Sequence, residues 1–356
     1  MAVPLIATRA TTRVLVVDDS AFMRRAIVRL LEGIPGVEVV GMAVNGVEAV
    51  QRALELRPDV ITMDVEMPKM DGVTAVIEIM RTVPTPIVML STLTAEGAET
   101  TIRALEAGAV DCVAKPTGMS QDLVNVGERL AEAVRHAQGA RMLRRVSLVP
   151  PGRPTETRAS TGGAPAHHVV VIGSSTGGPS ALTEVIAHLP AGLNAAVLVV
   201  QHLPAGFTAA LSRRLDALSP LPVAEAAEGD RLVNGRVLLA PGDFHMSVGT
   251  DRLIHLDKTA RLHGVRPAVD VTLASVASVF GRSSTLAILT GMGKDGAEGA
   301  ARIEAAGGKV IVQDESTCVV YGMPKAAKER TEHAIQVKID QVANAIARAV
   351  PAGVGR

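Results

Sequence analysis

Aromatic residues are almost missing from this chain. Its 356 residues include four Phe, one Tyr and no Trp, which excludes the stacking platforms that single-stranded nucleic acid binds. Cysteine is as scarce. Cys112 and Cys318 make neither a disulfide framework nor a zinc-ligand spacing, as expected of a chain kept in a reducing compartment. No excess of charge exists: 36 basic side chains balance 36 acidic ones, so no strong positive field is available to hold nucleic acid. No apolar run reaches the roughly 18 residues of a membrane helix. Residues 1–12, MAVPLIATRATT, are too short and too weakly apolar for a secretory leader. We therefore expect a soluble, cytoplasmic protein with no nucleic-acid partner and no membrane insertion. Its core has to come from Val, Leu, Ile, Ala and Met.

What is present is a length that exceeds one ordinary core and predicts two domains. The first section alternates short β-branched runs with amphipathic stretches. RVLVVDD (13–19) reads as a buried strand, and SAFMRRAIVRLLEG as a helix capped by Ser20 and stopped at Gly33. The pattern continues as strands at 37–43, 60–64, 86–91 and 111–115, with helices at 46–56, 72–81, 96–107 and about 119–138. Five βα units of this kind predict a doubly wound parallel sheet, α/β in class. A stretch rich in Pro, Gly, Ser, Thr and Arg follows, which reads as an exposed, flexible linker, 139–167. From Val169 a second α/β section begins. Its predicted strands are 168–173, 196–201, 237–240, 285–290 and 309–313, and its predicted helices 178–188, 207–217, 269–280, 296–305 and 339–349. Residues 220–260 read as shorter strands and turns.

Ligands of parallel sheets gather beyond the carboxyl ends of the strands. In the first section those ends carry Asp18, Asp19, Asp64, Ser91 and Lys115. Three carboxylates converging on one crevice repel each other and call for a hard cation, and Mg²⁺ suits them. Lys115 offers a fixed positive charge and Ser91 a hydroxyl donor for an added phosphoryl group. Asp64 is the candidate acceptor, since aspartate forms acyl phosphates. Any one of these aspartates alone would read as a helix cap. Together, VLVVDDS, ITMDVEMPKMDG, VMLST and VDCVAKP resemble the response-regulator receiver family across residues 13–136. The resemblance implies a flavodoxin-like receiver domain, 13–138, after an N-terminal tail, 1–12. It implies phosphorylation of Asp64 by a histidine kinase, and Mg²⁺ held by Asp18, Asp19, Asp64 and the Glu66 backbone carbonyl. Ser91 and Lys115 match the switch hydroxyl and lysine. Cys112 stands where many receivers carry a switch aromatic.

In the second section, VVVIGSSTGGPSAL (169–182) is a glycine-rich crossing from strand to helix. Such loops cradle phosphates or present nucleophiles. The GK[ST] ending of a P-loop is absent, so no lysine reaches a phosphate. LAILTGMGKDG, however, spaces Gly291, Gly293 and Gly296 as G-x-G-x-x-G, and Asp314 follows 18 residues later. That pattern satisfies a dinucleotide fingerprint on paper. For a nucleophile, serine needs a base and the base an orienting acid. His202 in VLVVQHLP and Asp295 in GMGKDG both lie just beyond strands, as do Ser174 and Ser175. His245 in PGDFHMS is a competing base. Spacing alone does not choose between the two serines.

IGSSTGG, VVQHLPAGFT, APGDFHM and LTGMGKDG look like the chemotaxis protein-glutamate methylesterase (CheB) family over about 168–350. A receiver, a linker and this domain are that family's architecture. The resemblance implies a Rossmann-like methylesterase domain, 168–350. It selects Ser175, directly before the threonine, as nucleophile, with His202 as base and Asp295 as orienting acid. Met292 matches the position whose backbone N–H helps bind the oxyanion. The implied activity is phosphorylation-activated hydrolysis of glutamate γ-methyl esters on chemoreceptor cytoplasmic helices, with deamidation of glutamines, in chemotactic adaptation. The implied phosphodonor is a histidine kinase of the CheA type. The esterase domain is expected to need no cofactor. The rival expectation is a receiver fused to a dinucleotide-binding oxidoreductase. A DNA-binding output domain is disfavoured, because about 185 residues of neutral α/β pattern do not make a compact basic helix-turn-helix.

Overall fold

A computed structural model describes residues 11–92, 94–115, 120–142 and 163–351. Nearly all of the expected N-terminal tail and residues 143–162 of the expected linker lie outside the described residues. The chain divides into two compact units, Met1–Thr92 with Ala107–Arg144, and Leu93–Glu106 with Arg145–Arg356. Each contains one parallel sheet.

The first sheet holds β1 (Thr12–Val17), β2 (Val37–Ala43), β3 (Val60–Asp64), β4 (Ile87–Ser91) and β5 (Asp111–Ala114), in the spatial order β2-β1-β3-β4-β5. All four pairings are parallel. This is the flavodoxin-like order, whose reversal between β1 and β3 opens a crevice at the carboxyl ends. The strands alternate in sequence with α1 (Ala21–Glu32), α2 (Gly46–Leu56), α3 (Gly72–Thr82), α4 (Ala95–Ala107) and α5 (Ser120–Gln138). Short polar side chains start three of them. Ser20, Asn45 and Asp71 accept from the backbone N–H groups of Met23, Glu48 and Thr74, satisfying donors that the first helical turn leaves unpaired. β3 and β4 are buried along their whole length, as strands covered on both faces must be.

The second sheet has seven strands: β6 (Val169–Ser174), β7 (Ala196–Gln201), β8 (Val223–Glu225), β9 (Val237–Leu239), β12 (Ser284–Ile288), β13 (Lys309–Gln313) and β14 (Ile335–Val337). Between β9 and β12 the chain makes an antiparallel hairpin of β10 (His245–Val248) and β11 (Ile254–Asp257). The helices of this unit are α6 (Gly178–Ala187), α7 (Phe207–Leu218), α8 (Val269–Phe280), α9 (Ala297–Ala305), α10 (Met323–Glu329) and α11 (Ile339–Ala349). The strand order is β14-β13-β12-β6-β7-β9-β8. The chain therefore winds outward from β6 to one edge, then returns to β12 on the other side. The reversal point is the β6–β12 boundary, where such folds bind their ligands. β6 and β7 have no exposed residue, and Val169, Val171, Leu198, Leu286 and Val312 pack into one core with α8, α9 and the hairpin.

The expected strands and helices form, with three differences. β12 stops at Ile288, two residues before the end of the apolar run, because beyond it Thr290 N–H donates at 2.7 Å to the Gln313 side chain and not to a strand. α10 and β14 were not foreseen. Both cysteines are buried, and burial, followed by the charge of Asp111, pushes the Cys112 thiol well above its ordinary value. Among the described residues no helix is long and apolar enough to cross a membrane.

Candidate functional site

Each reversal point gathers side chains that the sequence reading had singled out. In the first unit, β1 delivers Asp18 and Asp19, β3 ends on Asp64, and β5 is followed by Lys115. The Lys115 ammonium lies 2.7 Å from Asp64 Oδ1 and 2.8 Å from Asp18 Oδ2. Burial drives the Asp64 carboxyl above the usual carboxylate range, and neighbouring Asp18 adds to it, against the lowering effect of Lys115. Burial works against the Lys115 charge as well, but its two carboxylate partners outweigh it and hold the ammonium above its ordinary value. Asp64, Asp19, Glu66, Thr92 and Lys115 line a cavity of about 560 Å³ together with Val65, Met67 and Pro68. Ser91 is buried, and its hydroxyl donates to the Thr92 carbonyl at 3.1 Å. Gly72 begins α3 against this floor: a Cβ there would lie 2.1 Å from the Asp64 carbonyl oxygen.

The donor set fits Mg²⁺. Asp18, Asp19 and Asp64 each offer a carboxylate oxygen, all within 4.8 Å of one another. Asp18 Oδ2 is buried and has no aligned hydrogen-bond donor among the described residues; the Lys115 ammonium, 2.8 Å away, balances its charge. Hard oxygen ligands of this kind, completed by water, suit that ion.

In the second unit, the last paired residues of β6 and β7 are Ser174 and Gln201. Ser175 and His202 therefore leave the sheet side by side. Asp295 comes from the turn after β12, on the other flank of β6. His202 Nε2 and Asp295 Oδ2 are 2.8 Å apart. A carboxylate only accepts, so Nε2 carries the hydrogen and Nδ1 keeps its lone pair. Asp295 also accepts from the backbone N–H groups of Val269 at 2.7 Å and Asp270 at 2.9 Å. Those two open α8, whose positive end favours an anion. Burial alone would raise the Asp295 carboxyl, but the His202 bond and charge, with the two backbone donors, leave it below the ordinary value.

The Ser175 hydroxyl has no hydrogen-bond partner among the described residues, so the expected Ser–His bond is not formed. Such bonds commonly tighten only when substrate arrives. Ser174 is instead fully buried, and its hydroxyl is spent on Gln201 Oε1 at 2.6 Å. His245 is likewise occupied. Its Nδ1 accepts from Ala268 N–H at 3.2 Å, and its Nε2 donates to the Ala260 carbonyl at 3.1 Å. Gly291, packed on Ser175, is tied through its N–H to Val320 and through its carbonyl to Gly322 and Met323. Beside it Met292 is 42% exposed, and its N–H has no partner among the described residues. Asp314, the acid of the dinucleotide fingerprint, is already engaged by Ser316 and Gln336.

Comparison with known proteins decides between the readings. Residues 14–126 match the response regulator receiver domain, and residues 170–346 match CheB methylesterase. A protein-glutamate methylesterase/protein-glutamine glutaminase of Symbiobacterium thermophilum is 47% identical over 353 residues, covering 96% of this chain and 98% of that one. The chain belongs to the CheB methylesterase family. A CheB relative from Thermotoga maritima with the same name is 45% identical, covering 90% of this chain and 94% of its own. The crystal structure of the Thermotoga maritima CheB methylesterase catalytic domain matches 51% of this chain and 98% of that one, at 42% identity and a TM-score of 0.49. Membership in the CheB family leaves the oxidoreductase alternative without support. Gln201 and Gln313, buried at the ends of β7 and β13, bond the backbones of Ser175, His202 and Thr290 and were missed. Their signal was a polar residue closing an apolar strand run, VLVVQ and KVIVQ.

Proposed function

We propose that this chain hydrolyses glutamate γ-methyl esters on the cytoplasmic helices of chemoreceptors, with Ser175 as nucleophile, His202 as base and Asp295 as orienting acid. The observation that carries the reading is the 2.8 Å His202–Asp295 bond beside Ser175 at the reversal point of the sheet. Asp295 fixes the imidazole as the Nε2–H tautomer, so Nδ1 takes the Ser175 proton as the hydroxyl attacks the ester carbonyl. The tetrahedral oxyanion accepts from the Met292 N–H, a donor of a type worth about 3 kcal/mol. Collapse expels the methoxy group, which takes the proton back from His202 and leaves as methanol. Water, deprotonated by His202 in turn, then attacks the acyl-enzyme, and glutamate and Ser175 are regenerated. A glutamine amide follows the same course with ammonia as leaving group, in keeping with the second half of the relatives' name. None of these steps calls for a cofactor.

The receiver, which we take as 13–138, sets the activity of the esterase, which we take as 168–350. Asp64 accepts the phosphoryl group from a histidine kinase of the CheA type. Asp18, Asp19, Asp64 and the Glu66 carbonyl would hold Mg²⁺, which when bound offsets charge on the transferred group. Lys115 neutralises the carboxylates around Asp64, and Ser91 donates to the phosphoryl oxygens once its hydroxyl turns from Thr92. Methanol release from methylated receptor, with and without acetyl phosphate and Mg²⁺, tests the whole reading. Release is expected to rise with acetyl phosphate and to vanish in Ser175→Ala. Release persisting in Ser175→Ala sinks it.

A further inference from the structure

The sheet ends at Ser174 and Gln201, yet hydrogen bonding between the two chains continues. The last backbone rung runs from His202 N–H to the Ser174 carbonyl at 3.1 Å. Beyond it the Gln201 side chain takes over. Its Nε2 donates to the Ser175 carbonyl at 2.9 Å and to the His202 carbonyl at 3.2 Å, and its Oε1 accepts from the Ser174 hydroxyl at 2.6 Å. Only one orientation of the amide satisfies these partners, because two carbonyls need a donor and a hydroxyl can supply one. Gln201 is 1% exposed, so losing these bonds would strand buried polar atoms.

The surroundings are shaped around this amide. A Cβ on Gly178 would lie 1.9 Å from Gln201 Oε1. Glycine at the start of α6 thus opens the space the carboxamide fills. Gly178 N–H in turn donates to the Ser175 carbonyl at 2.7 Å, and Ser175 N–H donates to the Thr290 carbonyl at 3.0 Å. The Ser175 backbone is tied on both sides while its hydroxyl has no hydrogen-bond partner among the described residues.

We propose that Gln201 is a positioning residue for the esterase: its carboxamide clamps the Ser175 and His202 backbones together and so fixes the nucleophile against its base. The inference rests on the reading of Ser175 and His202 given above. It assigns Gln201 no contact with substrate, so its loss falls on kcat and leaves KM nearly alone.

The test uses the full chain activated with acetyl phosphate, with methylated receptor as substrate. The rate of labelling by a serine-directed fluorophosphonate is a second readout. Gln201→Ala is expected to lower kcat and the labelling rate by about tenfold to a hundredfold, with KM within about twofold. Gly178→Ala, which keeps the amide but displaces it, is expected to do the same even if Gln201→Ala folds poorly. In a double-mutant cycle the combined variant should be little slower than Gln201→Ala alone, because the two closest clashes disappear with the side chain and only the 3.0 Å approach to Ser174 Cβ remains. Unchanged kcat in both single variants, or losses that multiply in the double, overturn the proposal. So does a loss that appears as raised KM and lowered thermal midpoint with labelling intact. Ser175→Ala separates the two levels. Turnover or labelling that survives it removes the reading of the site and the clamp with it. A dead Ser175→Ala beside fully active Gln201→Ala and Gly178→Ala removes the clamp alone.

Discussion

Asp295 is a buried carboxylate with four occupied roles: it accepts from His202, from Val269 and from Asp270, and it keeps its charge. Asp295→Asn preserves its shape but offers an amide N–H where His202 needs an acceptor. A change of this kind reverses the tautomer, and we expect kcat for methanol release to fall by about 10⁴-fold; a loss under tenfold would show that His202 is oriented by something else. Met292 makes the opposite prediction. Its proposed contribution is a backbone N–H, and its side chain is 42% exposed. Met292→Ala should therefore keep kcat within a few-fold, while a loss near the 10²–10³ range typical of a removed oxyanion donor would show that the Met292 side chain is needed to hold its own N–H in place, since a thioether cannot donate. The two serines were indistinguishable by spacing. Burial separates them, since Ser174 has spent its hydroxyl on Gln201 and Ser175 has not.

At the scale of elements, the strand ends were the most legible part. Buried parallel strands read as uninterrupted Val/Ile/Leu runs, and the residue after each run falls at the carboxyl edge. Asp18, Asp64, Lys115 and His202 were readable on that rule, Asp295 lies in the turn beyond β12, and the choice of Ser175 over Ser174 came from the family resemblance. α10 was not, because seven residues with Pro324 in the first turn carry too little period. β14 is three residues long with Ile335 half exposed, and no alternation can be read from it. The true end of β12 was hidden for another reason: Gln313 captures Thr290 by a side-chain bond between residues 23 apart. Turn glycines carry a further prediction. Gly72→Ala would drive its Cβ to 2.1 Å from the Asp64 carbonyl, so α3 must shift and carry the acceptor strand end with it. Acetyl phosphate labelling of Asp64 in Gly72→Ala should be slowed about tenfold or more. Labelling at the native rate would mean that α3 does not position the acceptor.

For the whole molecule, stability has an edge at each end of the pH scale. The Asp295 carboxyl is lowered from 3.8, so its ionised form stabilises the fold above pH 3.8 and that contribution is lost as pH falls through the lowered value. Lys115 is raised from 10.5; its charge stabilises the fold at every pH below 10.5, and this is lost as pH rises through the higher folded value. Thermal midpoints should therefore fall less steeply in acid for Asp295→Asn and less steeply above pH 10.5 for Lys115→Met; curves parallel to the native one would contradict both assignments. Asp64→Asn should leave basal esterase activity and abolish its rise with acetyl phosphate. The scarcity of aromatics now acquires an experimental meaning. The single tyrosine, Tyr321, bridges to Gly291, next to the residue proposed to meet the oxyanion. With no tryptophan in the chain, tyrosine emission from the native protein comes from a side chain whose backbone bridges to the strand end that carries the proposed oxyanion donor. Binding of a receptor helix beside Gly291 can therefore be followed optically without a label.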